Sequence, residues 1–266
     1  MKKSFLLIFL IISLQMSANA QTPSPKRKKI AICYFGLTRS TKKVYPSHFD
    51  HIFNVLDRHN IDYDVFMHTW QLEDKQRVWC DYINCEVDYT EHKHLNPNHY
   101  KIDNQEEFTS KLVWKDYFYQ HVWDEVGHDV DGEWLPELIL NHLCALESQK
   151  RVTEMVENCN EKYDLVMYVR PDVWFNNPLD IDSILSLKDR EIIIPNFSHN
   201  EGINDRFAVL TYSTAPIYGK RIEKIVDYRR NNGRIVSEKY LKYVCDKNKL
   251  KIHLIDFRFK IVRPQL

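Results

Sequence analysis

The stretch YDLVMYVRPDVWF, Tyr163 to Phe175, is an apolar β-type run that ends abruptly in Arg170, Pro171 and Asp172. In an open α/β sheet the ligand crevice lies outside the carboxyl ends of the strands, so Arg170 and Asp172 are expected where a charged ligand docks. Taken alone, the same residues also read as a turn after a strand, with Arg170 as a surface ion partner of Asp172. A second cluster shifts the balance. The apolar run Ile192 to Pro195 is followed by NFSHNEGINDRFAVLTY, in which Asn204, Asp205 and Arg206 lead directly into Phe207 to Leu210. Two charged groups at the boundaries of two buried runs suggest one site.

Two further segments offer ligand-binding groups. GLTRS follows the first apolar run, with Gly36 for close backbone approach and Thr38, Arg39 and Ser40 as donors suited to an anion or a ribose. A plain strand-to-helix turn explains that loop equally well. DVFMHTW, Asp64 to Trp70, ends in His68, Thr69 and Trp70, which could frame a base or a sugar by stacking and hydrogen bonding. A His beside a Trp is more often simply packed. The chain has no GxGxxG, no GxxxxGK[ST] and no GxSxG, which argues against a dinucleotide fingerprint, a P-loop and a serine hydrolase elbow. No cysteine has a neighbourhood that would activate a thiolate.

The elements that must carry these groups follow from periodicity. KIAICYF, Lys29 to Phe35, reads as the first strand, closed by Gly36. Ser47 with Asp50 resembles a capping box and predicts a helix over SHFDHIFNVLDRHN, followed by a strand over Tyr63 to Thr69. A strand, helix, strand unit takes the form of a right-handed crossover between parallel strands, which places the chain in the α/β class. Residues from about 73 to 136 lack strand periodicity apart from a helix around Gln105 to Val126, and read as an insertion. Leu138, Ile139, His142, Leu146, Val152, Met155, Val156 and Cys159 predict a long helix running into a strand over Asp164 to Val169. Helices beginning near Ser213 and spanning Ser237 to about Lys247 come next, then C-terminal strands in IHLIDFRFKIV.

With 266 residues and 44% hydrophobic content, the chain can bury one large core. Basic and acidic residues balance at 37 each, so no bulk attraction to nucleic acid or an anionic membrane is expected, and any anion binding must be local. Lys2 and Lys3, the apolar run from Phe5 to about Met16 and the Ala18-Asn19-Ala20 pattern read as a secretory signal over residues 1–20. That run is shorter than the roughly 20 residues that span a bilayer, so a retained signal anchor is the secondary reading. A basic linker, 21–28, then precedes one domain over 29–266. No later segment is apolar enough to span a membrane, and the expected location is secreted, a secretory lumen or a periplasm. Six cysteines suit an oxidising compartment but are too dilute to build the fold. Cys80 and Cys85 are candidates for a local bridge, and Cys33 and Cys144 for buried thiols. His92, His94 and His99 could bind a metal, although their polar surroundings favour an exposed loop.

The order KIAICYFGLTR, YDVFMHTW, YDLVMYVRPDVWF, IIIPN, NDRFAVLTY and SEKYLKYVC with a strand-rich tail resembles a group of glycosyltransferases with G-x-x-R, DVFxHTW, RPD and NDxFA motifs. The resemblance runs from about Lys29 to Pro264 and leaves the insertion unmatched. It implies a Rossmann-like GT-A nucleotide-diphospho-sugar transferase fold with a mostly parallel central sheet. A nucleotide-sugar donor and a glycan or glycoconjugate acceptor would be its partners. The RPD segment takes the place of the DxD motif of such enzymes, but Arg170 stands where the first acid belongs. Asp172 would then hold Mn²⁺ or Mg²⁺ with water and phosphate ligands, or Arg170 and Arg39 would neutralise the diphosphate directly. The expected donor site is Gly36, Thr38, Arg39, His68, Arg170 and Asp172, with Asn204 and Arg206 on the sugar or acceptor. Asp205 and Glu238 are the candidate catalytic carboxylates, each with a structural alternative: a turn for Asp205, a helix N-terminus for Glu238.

Two other function classes stay open. A secreted glycan-binding protein of the same fold that has lost turnover fits the missing acid. A glycoside hydrolase would need two carboxylates about 5 to 10 Å apart across the sugar. The sequon Asn196-Phe197-Ser198 lies between the two clusters, where a glycan would obstruct the site, and is expected to be unmodified.

Overall fold

The computed structural model describes residues 27–71, 75–77, 84–86, 88, 90–117 and 136–263. The signal and most of the linker, Cys80 of the candidate Cys80–Cys85 bridge and the second half of the helix expected over Gln105 to Val126 lie outside the described residues.

The sheet is built outward from β1 (Lys29–Phe35), which is buried from Ile30 onward. Burial on both faces is what its unbroken apolar run requires, because a parallel sheet is covered on both sides. Alternate side chains enter separate cores. Ile30, Ile32 and Tyr34 pack with Leu56, Met67 and Phe257, while Ala31, Cys33 and Phe35 pack with Val152, Tyr168 and Leu241. Cys33 and Cys144 are free, buried thiols, as expected.

β1 pairs in parallel with β2 (Asp62–Gln71) on one side and β6 (Leu165–Val169) on the other. β2 in turn pairs in parallel with β5 (His99–Asn104). Beyond β6 comes β9 (Phe207–Thr211), antiparallel both to β6 and to β8 (Glu191–Pro195), and β8 pairs in parallel with β10 (Lys251–Ile255). The sheet order is β10-β8-β9-β6-β1-β2-β5, a mostly parallel seven-stranded sheet of the α/β class, compatible with a Rossmann-like fold. A short antiparallel pair joins β7 (Val173–Phe175) to β11 (Phe259–Ile261), and another joins β3 (Lys75–Arg77) to β4 (Asn84–Glu86).

Several expected boundaries move. The first helix, α1 (Thr41–His48), begins directly after the GLTRS loop and continues through a π-helical turn at Phe49–Phe53 into α2 (Asn54–Arg58). Ser47 is therefore no cap. It lies inside the helix, where its hydroxyl donates to the Val44 carbonyl and accepts from the Phe175 N–H. The segment expected as an insertion supplies β5 to the central sheet, and its helix α3 (Gln105–Thr109) is short, capped by the Asn104 side chain. Among the three histidines singled out, His92 is buried in a 3-10 turn and His99 opens β5 stacked on Phe66. Among the described residues no three His, Cys, Asp or Glu side chains gather as a metal set.

The long helix α4 (Pro136–Glu157) packs across β1 and β2. α5 (Ile181–Leu185) precedes β8, and after β9 come α6 (Ala215–Gly219), a 3-10 turn at Arg221–Lys224 and α7 (Ile225–Asn232), the last three replacing the single helix expected near Ser213. α8 (Ser237–Lys247) falls where its sequence predicts. Among the described residues no helix is long and apolar enough to cross a membrane.

Candidate functional site

Strand direction brings the charged groups together. β1, β2 and β6 end at one edge of the sheet, and β9, running the opposite way, begins there. Val169 at the end of β6 is registered opposite Phe207 at the start of β9, so Arg170 and Arg206 leave the sheet side by side. Gly36 and Arg39 follow the end of β1, and Trp70 sits near the end of β2. A cleft of about 180 Å³ opens at this edge, and Gly36, Arg39, Arg170, Asp172, Asp205 and Arg206 all line it.

Asp172 is the electrostatic centre of the cleft floor, with a side chain only 1% exposed. Arg170 grips it with two bonds, Nε donating to Oδ1 at 2.9 Å and Nη2 to Oδ2 at 2.7 Å. Arg39 donates to Oδ2 through Nη2 at 2.9 Å and Nε at 3.2 Å. A third guanidinium, that of Arg263, brings Nη1 to 3.7 Å from Oδ2. The β7/β11 pair explains this last neighbour: Val173 is registered opposite Ile261, and the Val262 N–H donates to the Asp172 carbonyl at 2.8 Å. Burial pushes the Asp172 carboxyl up, but Arg170 and Arg39, then Arg263, outweigh it and hold the group well below the usual carboxylate range.

Asp205 contrasts with it. Its carboxylate lines the cleft without a hydrogen-bond donor of its own among the described residues, while its backbone carbonyl accepts from the Tyr218 hydroxyl at 2.9 Å. Burial raises its pKa, and the nearby Arg206, His142, Arg221 and Arg170 more than compensate, so it is ionised at neutral pH. His142, on α4, lines the cleft as well, and burial lowers its pKa to about 4, leaving it neutral.

Four residues expected at the site act behind it. His68 is fully buried and does not line the cleft; Nδ1 lies 2.8 Å from the Ser148 hydroxyl and Nε2 lies 3.1 Å from Asp103 Oδ2. The Thr38 carbonyl accepts from both the N–H and the hydroxyl of Thr41, which begins α1. Asn204 is an internal brace of its loop, donating to the Phe197 carbonyl at 3.0 Å and accepting from the Arg206 N–H at 2.9 Å. Glu238, 2% exposed, accepts from Asn200, Arg206 and Ser237, so it holds the 200–206 loop to the start of α8 instead of facing the cleft. Its carbonyl also accepts from the Ile203 N–H, and a side chain at Gly202 would meet that carbonyl oxygen at 2.0 Å. Asn196, exposed at the end of β8, is not among the cleft-lining residues.

No family model matches the chain, and no curated protein matches it.

Arg263 was missed by the sequence reading, although its signal repeats. Val262-Arg263-Pro264 copies the Val169-Arg170-Pro171 pattern of a strand ending in arginine and proline. Trp70 turns out to be a wall of the cleft. Its Nε1–H donates to the Cys144 carbonyl at 3.0 Å, Phe108 stacks on it at 5.4 Å, and the Arg151 guanidinium lies 4.8 Å from its ring. Asp103, on β5, pairs with that same Arg151. Chemically, the cleft offers a cationic floor for an anion, an aromatic wall, and one ionised carboxylate available to a hydroxyl.

Proposed function

We propose that the protein is a glycosyltransferase that moves a sugar from a nucleoside-diphosphate donor to a hydroxyl of a glycan or glycoconjugate. The observation that carries this reading is the pairing, in one cleft, of a guanidinium cluster around Asp172 with the ionised carboxylate of Asp205. The cleft's place at the carboxyl edge of the sheet, beside the switch from β1 to its two neighbours β2 and β6, agrees with it.

In this reaction the bond between the sugar's anomeric carbon and the diphosphate oxygen breaks while a bond to the acceptor oxygen forms. Negative charge grows on the departing diphosphate, where Arg39, Arg170 and Arg263 would stabilise it. The acceptor proton passes to Asp205, whose lowered pKa makes it a weak base that acts late, as the hydroxyl becomes acidic on bond formation. The signal-like N-terminus would place this chemistry in a secretory lumen or a periplasm, with membrane tethering by an uncleaved signal as the variant.

The test is a panel of UDP- and GDP-sugars incubated with the purified protein and a mixed glycan acceptor set. Release of nucleoside diphosphate with a matching mass gain on an acceptor supports the reading. Glycan binding without release from any donor would replace it with the inactive glycan-binding alternative.

A further inference from the structure

We infer that the diphosphate of the donor is neutralised by the Arg39, Arg170 and Arg263 guanidinium groups, organised by Asp172, and that no divalent cation takes part; this rests on the transferase reading above. Arg39 and Arg170 share the single carboxylate of Asp172, with Arg263 beside it, so guanidinium groups outnumber carboxylates on the cleft floor. A diphosphate esterified at both ends carries two negative charges, which this cationic floor attracts without an ion. Arginine suits the task because it stays charged when partly buried, and Nη1 of Arg39 and of Arg170 can meet a phosphate oxygen while Nε and Nη2 hold Asp172.

The residues do not fit Mn²⁺ or Mg²⁺ at Asp172. Such cations take near-octahedral oxygen ligands and sit about 2.1 Å from a carboxylate oxygen. Asp172 Oδ2 already accepts from Arg170 Nη2 at 2.7 Å and from Arg39 Nη2 at 2.9 Å, and Oδ1 accepts from Arg170 Nε at 2.9 Å. A dication at either oxygen would face these like charges at close range, with Arg263 Nη1 behind them at 3.7 Å from Oδ2. The other carboxylate of the cleft, Asp205, belongs to a different strand boundary, and no three potential ligands converge among the described residues. Asp172 therefore serves as a positioning residue that spreads the arginines and limits their mutual repulsion.

The experiment is calorimetric titration of the full protein with inorganic pyrophosphate, UDP and GDP, in chelator and then in excess Mn²⁺. It is repeated with Arg39→Gln, Arg263→Gln and the conservative Arg263→Lys. The expected result is binding of pyrophosphate and one nucleoside diphosphate in chelator, changed less than about twofold by Mn²⁺. Each Gln variant should bind about tenfold more weakly, the loss of one charge-assisted hydrogen bond, with the Lys variant in between. Unchanged near-ultraviolet circular dichroism would show that the variants remain folded. Binding only in Mn²⁺, or full affinity in both Gln variants, would overturn the inference. The donor panel separates the two ideas: turnover with an absolute Mn²⁺ requirement rejects the cluster and keeps the transferase, while metal-free pyrophosphate binding without turnover does the reverse.

Discussion

Nε2 of His68 lies 3.1 Å from Asp103 Oδ2, which ties the second strand of the sheet to its edge strand beneath the cleft. A carboxylate can only accept, so Nε2 carries the proton, and burial keeps the ring neutral by lowering its pKa to about 4. Nδ1 is then an acceptor 2.8 Å from the Ser148 hydroxyl, whose single proton is shared with the His68 carbonyl at 2.9 Å, and the Ser148 oxygen accepts the Gly36 N–H at 2.8 Å. The chain of bonds ends at a glycine of the cleft whose φ of +92° is one that side-chain-bearing residues rarely adopt.

Ser148→Ala should loosen that glycine. It leaves the Gly36 N–H and His68 Nδ1 without their partner, at a cost of about 1–3 kcal/mol in stability. Steady-state kinetics should show a severalfold rise in donor KM with kcat changed much less. An equal fall in kcat at constant KM would contradict a role in placing the loop.

Asp205→Asn should cut transfer by about 10²- to 10⁴-fold, the usual contribution of a general base. Nucleoside diphosphate binding should hold or tighten, since a negative charge leaves a cationic cleft. A variant that transfers sugar at the normal rate would remove Asp205 from the chemistry.

Glu238 separates positioning from catalysis by a pair of variants. Glu238→Ala strands Arg206 and Asn200 and should cost about 1–3 kcal/mol, as expected when a buried hydrogen-bond acceptor is deleted. Glu238→Gln keeps an acceptor for both and should retain most activity. Total inactivity of the Gln variant with an unchanged melting temperature would point to a direct chemical role.

Gly202→Ala tests the loop's seat on α8. The added methyl would meet the Glu238 carbonyl oxygen at 2.0 Å, so the loop must lift and lose the Ile203 to Glu238 bond. Overpacking of this kind costs about 1–3 kcal/mol. Denaturant melts should show that loss together with reduced transfer, and wild-type behaviour in both would mean the loop seats differently.

Stability should fall on acidification from pH 6.5. His48, His68 and His142 are buried and each is lowered from 6.5 to about 4, so the unfolded chain binds protons that the folded chain refuses. Each imidazole then costs about 1.4 kcal/mol per pH unit between 6.5 and 4. Asp172, held low, adds its own loss only below its unfolded value of 3.8. Urea melts between pH 7.5 and 4.5 should track the histidines, and His142→Gln should flatten the slope. A flat profile in the unmodified protein would show that these rings are not held neutral.

Much of this organisation can be read directly from residue order. KIAICYF must be a strand buried on both faces, and β1 occupies those same residues. SEKYLKYVCDK has the apolar spacing of a helix, and α8 begins at Ser237. The pairing of Arg170 with Asp172 is local, two residues apart, and needed no fold to be suspected.

Other features depend on contacts between distant residues. β5 is exposed along most of its length and has only two apolar residues, Tyr100 and Ile102, both on the surface, so its bonds to β2 and not burial make it a strand. His68 and Glu238 have residue types suited to chemistry, but packing buried one under the cleft and gave the other's carboxylate to Arg206 and Asn200. Arg263 reaches Asp172 because β11 pairs with β7, which places Ile261 opposite Val173 from far along the chain. Sequence alone determined which segments must be buried and where charge meets their ends, because burial periodicity is a local property. The tertiary structure decided which ends meet: β9 runs against its neighbours, and that reversal, set by long-range hydrogen bonding, puts Asp205 and Arg206 beside Arg170.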